Sequence, residues 1–177
     1  MLGACGVMLG SAIYVAPQAS QLTVAQAAST SSIKVSQSSA VKKFNQKFPG
    51  KKVNTINLEK DDGRYVYSVT GFDQSMEYEA EINARTGKLI HSEKESLEDD
   101  DYEMSTLDTS KTISRSEATK IAEKAAKKGS AQSWELKQES SDLAIWEVEV
   151  KQTGHFSSKT VTINAQSKKV LNVEYDD

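Results

Sequence analysis

The chain carries one pattern twice, and that repetition constrains its fold more than any other feature. Ile82-Asn83-Ala84 returns 81 positions later as Ile163-Asn164-Ala165, each followed by a polar turn and an apolar pair, Leu89-Ile90 and Val170-Leu171. Upstream, Tyr67-Ser68-Val69 answers to Trp146-Glu147-Val148 at an offset of 79. Val35-Ser36 with Ala40, Phe44 and Phe48 answers to Ile113-Ser114 with Ala118, Ala122 and Ala126 at an offset of 78. The order is kept and the offset drifts only by loop-sized steps, which marks a duplication. The 177 residues therefore divide into two small units, each of roughly 60 residues.

Each copy opens with a helix. In the second, Ser114 and Glu117 have the spacing of a capping box. Ala118, Ile121, Ala122 and Ala125 form an apolar stripe, and Gly129 offers a left-handed stop. In the first, Ala40, Val41, Phe44 and Phe48 form the stripe and Pro49-Gly50 ends it. Strands follow over Val53 to Leu58 and Tyr65 to Val69, joined through Asp61-Asp62-Gly63, which suits a tight turn with positive φ. Met76 to Ile82 alternates, placing Met76, Tyr78, Ala80 and Ile82 on a buried face and Glu77, Glu79 and Glu81 in water. A short fourth strand begins near Leu89. The second copy repeats this with Trp134 to Leu136, Ala144 to Val150, Lys159 to Ile163 and Val170 to Tyr175. Strands joined by short turns are antiparallel. The expected class is α+β: two tandem modules, each one helix packed on a three- to four-stranded antiparallel sheet.

The rest of the chain frames these modules. Leu2 to Ala16 is apolar or small, no charge occurs before Lys34, and Ala25-Gln26-Ala27 fits a signal-peptidase site. Residues 1–27 therefore read as a secretory signal, although a basic start is missing. The run is short against the roughly 20 residues of a membrane span; left uncleaved, it is the one part through which the chain would meet a membrane. Leu2-Gly3-Ala4-Cys5 resembles a lipoprotein box, but its apolar run follows the cysteine instead of preceding it, so Cys5 reads as part of the apolar signal. No other cysteine exists, so the folded part forms no disulfide, which is ordinary for an exported protein of a Gram-positive bacterium. Residues 28–35 read as a flexible lead-in, 36–93 as the first module, 94–112 as an acidic linker and 113–177 as the second module. Lys94 to Ile113 holds two basic residues against seven acidic ones, although the whole chain is only at −3.

A helix, Pro-Gly, a strand, an aromatic strand, and a third strand running into Ile82-Asn83-Ala84-Arg85-Thr86-Gly87-Lys88-Leu89-Ile90 together resemble the PepSY domain. The resemblance covers about Ser36 to Glu93 and again Ser114 to Tyr175. The second copy departs from it: Lys168 stands where Gly87 stands in the first, and Pro-Gly is reduced to Gly129. Such domains occur in propeptides of thermolysin-type metallopeptidases and in bacterial envelope proteins. The resemblance thus implies a secreted or envelope-associated binding module that regulates or inhibits an extracellular peptidase.

The residues themselves favour no catalysis. His91 and His155, the two histidines, lie in no recognisable motif, and a nucleophile–base pair needs a third group to orient the base. Closely spaced Cys/His zinc ligands are absent, as is HExxH. Glu98-Asp99-Asp100-Asp101-Tyr102-Glu103 offers clustered oxygens for Ca²⁺ but lacks the spacing and glycine of an EF-hand loop, so a solvated linker is the preferred reading. No strongly basic face points to nucleic acid. Tyr65, Tyr67, Trp134 and Trp146 fall inside strands and read as core, with an aromatic peptide groove as the alternative. Catalytic, cofactor and metal residues are therefore assigned to none. The expected partner is an extracellular peptidase or a peptide segment added to a sheet edge, where backbone hydrogen bonds supply affinity. The alternative is a structural spacer at the cell wall or membrane.

Overall fold

The computed structural model describes residues 30–97, 104–152, 154 and 157–176. The secretory signal over 1–27, Cys5, the acidic run 98–103 and His155 lie outside the described residues. Helix α1 (Gln37–Lys47) precedes β1 (Lys52–Asp61), β2 (Arg64–Phe72), β3 (Met76–Asn83) and β4 (Leu89–Ser96). Helix α2 (Arg115–Ala126) precedes β5 (Ser130–Ser140), β6 (Leu143–Lys151), β7 (Ser158–Asn164) and β8 (Val170–Asp176). All eight strands form a single antiparallel sheet in the order β4-β3-β2-β1-β5-β6-β7-β8. The fold is α+β, with two helices on one face of one sheet.

The local chemistry explains the elements. Ser36 accepts from the Ser39 amide at 3.2 Å and Ser114 from the Glu117 amide at 3.3 Å, so each helix starts on a serine cap. Asp62 and Gly63 both take positive φ and form the two-residue turn between β1 and β2. Ala40 and Phe44 of α1 and Ala118, Ala122 and Ala126 of α2 are buried against the sheet. Opposite them stand the inward faces of the strands, among them Ile56, Leu58, Tyr67, Val69, Ala80 and Ile82, then Trp134, Leu136, Trp146, Val148, Val161 and Ile163. These residues form one core cluster drawn from both halves.

The halves meet where β1 pairs with β5, Ile56 opposite Leu136 and Leu58 opposite Trp134. Leu58 lies opposite Tyr67, and Leu136 opposite Trp146. Leu58 and Leu136 are therefore equivalent, as are Ile56 and Trp134. Each equivalent position thus meets the other's counterpart across the seam, which is the contact rule of a two-fold axis. The alternation of each strand gave no sign of this long-range pairing, and the modules share a sheet instead of standing as two.

Several local details differ from the sequence expectations. Glu117 turns its carboxylate to Lys168 at 2.6 Å, so only the serine half of the capping box forms. Lys127, at φ 70°, takes the left-handed position that ends α2; Gly129 is required instead because a β-carbon there would strike the Lys151 carbonyl. Lys168 adopts φ 68°, close to the 71° of Gly87, and keeps the same turn. Asn83 accepts from the Arg85 and Thr86 amides, and Asn164 likewise from Gln166 and Ser167. The flexible lead-in is tied down at its end, the amides of Lys34 and Val35 both donating to Ala84 O at 2.9 Å. In the segment read as linker, β4 runs on to Ser96, and Leu107 is buried with its amide on Val53 O at 2.8 Å.

Candidate functional site

His91 lies on β4, exposed, with Nε2 3.3 Å from Glu93 Oε2 and opposite Glu81 across the ladder. Tyr65, Tyr67, Trp134 and Trp146 are all buried, so these four form no aromatic groove open to solvent. Their polar ends are satisfied internally: Tyr67 Oη donates to Val35 O at 3.0 Å, Trp146 Nε1 to Ile113 O at 3.1 Å, Trp134 Nε1 to Thr119 Oγ1 at 2.8 Å and Tyr65 Oη to Gln132 Oε1 at 3.4 Å. Among the described residues no three acidic, imidazole or thiol side chains gather as metal ligands. Among the same residues no helix is long and apolar enough to cross a membrane.

The helix-free face of the sheet is acidic. Glu77, Glu79 and Glu81 stand opposite Glu95, Glu93 and His91. Toward the centre, Glu59, Glu135, Glu147, Glu149 and Asp176 surround a shallow hollow with Asn57, Ser133, Ser158 and Thr160. Lys137 neutralises part of it, reaching Glu147 at 3.0 Å and Glu135 at 3.1 Å. Burial alone would pull the Lys137 ammonium down, but the hydrogen bonds it donates to Glu147 and Glu135 outweigh it and raise the group above its ordinary value.

The sheet ends in two free edges, β4 and β8. Among the described residues the large apolar side chains left exposed all lie on them: Leu89 at 41% and Ile90 at 39% on β4, Leu171 at 44% and Tyr175 at 72% on β8. An edge strand presents unpaired backbone donors and acceptors that another chain can complete. Sequence reasoning found the edge as a mode of binding but no residue for it; the signal available was the apolar pair closing each repeat.

The two edges are built differently. Helix α2 packs on β5, β6, β7 and β8, whereas α1 packs on β1, β2 and β3. The cause is a pair of substitutions within the duplication. Lys43 and Lys47 of α1 stand where α2 has Ile121 and Ala125, and the latter two are partly buried against the core. Near β8, Lys159 is buried, donates from Nζ to Ala126 O at 3.0 Å and lies 4.5 Å from the centre of the Tyr175 ring. Beside β4, Lys43, Gln46, Lys47, Thr86, Gly87, Lys88 and Leu89 line an open hollow. Among the described residues no carboxylate lies within 4.0 Å of the ammonium groups of Lys43, Lys47 or Lys88. The corresponding turn in the second half is closed by the Lys168–Glu117 pair.

Comparison with known proteins agrees with this duplicated architecture. The family model for PepSY, the peptidase propeptide and YPEB domain, matches residues 34–93 and again residues 112–174. Among curated proteins none matches the chain. A crystal structure described as a candidate lipoprotein of Clostridium difficile 630 superposes with a TM-score of 0.73 at 23% identity. The match covers 81% of this chain and 95% of that one, and it shows a shared fold.

Proposed function

The chain belongs to the PepSY family, a propeptide-like, non-catalytic domain, and on that premise we propose that it is an exported binding protein of the cell envelope. Its role is to engage an extracellular peptidase, or a peptide segment, without turning it over. The carrying observation is that the exposed large apolar residues fall on the two free edge strands. A partner segment joining an edge gains backbone hydrogen bonds and covers those side chains, which is how strand addition obtains affinity. The uncharged apolar stretch before Lys34 supports export, and the similarity in fold to a candidate lipoprotein supports an envelope setting.

The test is titration of the purified protein into the secreted metallopeptidases of its source, with both inhibition and direct binding measured. Dose-dependent, reversible slowing is expected. If neither inhibition nor binding is seen with any of them, a spacer role takes its place. That second reading draws on the seam, since eight laterally bonded strands make a stiff plate about 34 Å across.

A further inference from the structure

Resting on that edge-binding reading, we propose that β4 is the receiving edge and that its partner is an extended peptide with carboxylates at alternate positions. An added strand needs free backbone and room on both faces. On the helix side, α2 packs on β8, and Lys159 Nζ lies 4.5 Å from the Tyr175 ring, which itself stays exposed. At β4 that side is less covered: α1 packs chiefly on β1, β2 and β3, and its Lys43, Gln46 and Lys47 border an open hollow with Leu89.

The chemistry then selects the partner's side chains. On the helix side, Lys43, Lys47 and Lys88 surround Leu89. Lys94 follows on the same side, opposite the inward-facing Tyr78. Side chains of an added strand that point this way meet ammonium groups that have no carboxylate within 4.0 Å among the described residues, so acidic residues are favoured. On the other side stand Glu93 and Glu95, backed by Glu79 and Glu77. Residues pointing there are required to be neutral or basic, because like charges directly opposite are destabilising. Successive residues of a strand point to opposite faces, so one strand satisfies both rules by alternation. Lys88 and Lys94 lie six positions apart, about 20 Å of strand, which sets a length of six to eight residues for the occupant.

The experiment uses the whole protein and three labelled eight-residue peptides: Glu-Thr alternating, Lys-Thr alternating, and a block of four Glu followed by four Thr. Fluorescence anisotropy reads affinity, and hydrogen exchange locates the contact. The Glu-Thr peptide is expected to bind most tightly, to weaken with salt and to slow exchange along 89–96. Reversing Lys43, Lys47 and Lys88 to Glu is expected to weaken it by about tenfold or more, as the sum of three exposed ion pairs. These three side chains are exposed, so an unchanged melting temperature is expected alongside. Equal binding of the block peptide overturns strand addition in register. Preference for Lys-Thr, indifference to the triple reversal, or protection confined to 170–176 overturns the proposal but leaves edge binding standing. Protection of neither edge by any peptide overturns both.

Discussion

Phe44 occupies the space that a β-carbon on Gly71 would need: its Cζ lies 2.5 Å from where that carbon would stand. In the second half the same two positions are Ala122 and Val150, both buried. The cavity is filled from the helix in one half and from the strand in the other. Phe44→Ala alone should cost about 3–5 kcal/mol. Gly71→Val alone should be strongly destabilising as well, because the Phe44 ring and the Lys52 carbonyl both stand 2.5 Å from the new β-carbon. Combined, the two changes copy Ala122 with Val150 and should cost less than their sum by about 1–3 kcal/mol. Denaturant unfolding of the four proteins measures this, and simple additivity would show that the Lys52 carbonyl, not the ring, sets the cost at Gly71.

Tyr67 and Trp146 fasten the strands to the helix starts by the same geometry, each donating to the carbonyl just before a capping serine. Trp146→Ala should cost about 3–5 kcal/mol through lost volume. Tyr67→Phe keeps the ring and removes the donor, so about 1 kcal/mol is expected. An unchanged melting temperature in either variant would contradict the placement.

The shared sheet makes the halves one unit. Cleavage at a protease site engineered into residues 98–103 should leave two fragments that co-elute and unfold together, because β1–β5 pairing and the common core remain. Separate elution under native conditions would place the stability within each half alone.

Lys168 sits at φ 68°, a conformation that L side chains adopt at a cost. Lys168→Gly should therefore stabilise the chain by up to about 1 kcal/mol. Loss of the exposed pair with Glu117 offsets little of this. A lower melting temperature would show that the ion pair outweighs the backbone.

Asp73 is held well below the usual carboxylate range, chiefly by the Lys51 ammonium at 2.5 Å, then by the Ser75 amide and the Tyr78 hydroxyl. Its folded-state pKa is depressed, so its stabilising effect is present above the unfolded value and lost as pH falls toward the folded one. The wild type should melt above Asp73→Asn at neutral pH, and the gap should narrow below about pH 4. A gap independent of pH would assign the effect to turn geometry. The same contacts raise Lys51, so its contribution holds below the ordinary lysine range and fades above it.

Much of this architecture was legible because it is local. Alternation marked Tyr78, Ala80 and Ile82 as inward, and all three are buried. The i, i+4 spacing of Ala40 and Phe44 marked the buried side of α1 in the same way. The β1–β5 seam was not legible, because alternation says which way a side chain points and not which strand lies beside it. Lys127 and Lys168 were missed because a lysine gives no advance sign of positive φ when the surrounding turn imposes it. The bare β4 edge was written in the repeat itself, in Lys43 and Lys47 against Ile121 and Ala125, but its meaning depends on knowing how far each helix reaches.

Among the described residues, six of the seven ladders join strands that follow one another in the chain, and the seam alone joins positions such as Thr55 and Lys137, 82 residues apart. Neighbouring strands close in microseconds, whereas the seam must wait for distant segments to meet. Until it forms, each half shows the edge of its first strand, and by the two-fold relation those edges are interchangeable. A concentrated refolding mixture therefore offers every half two kinds of partner, its own sequel or the matching strand of a second molecule. Domain-swapped dimers are the product of the wrong choice; dilution favours the right one.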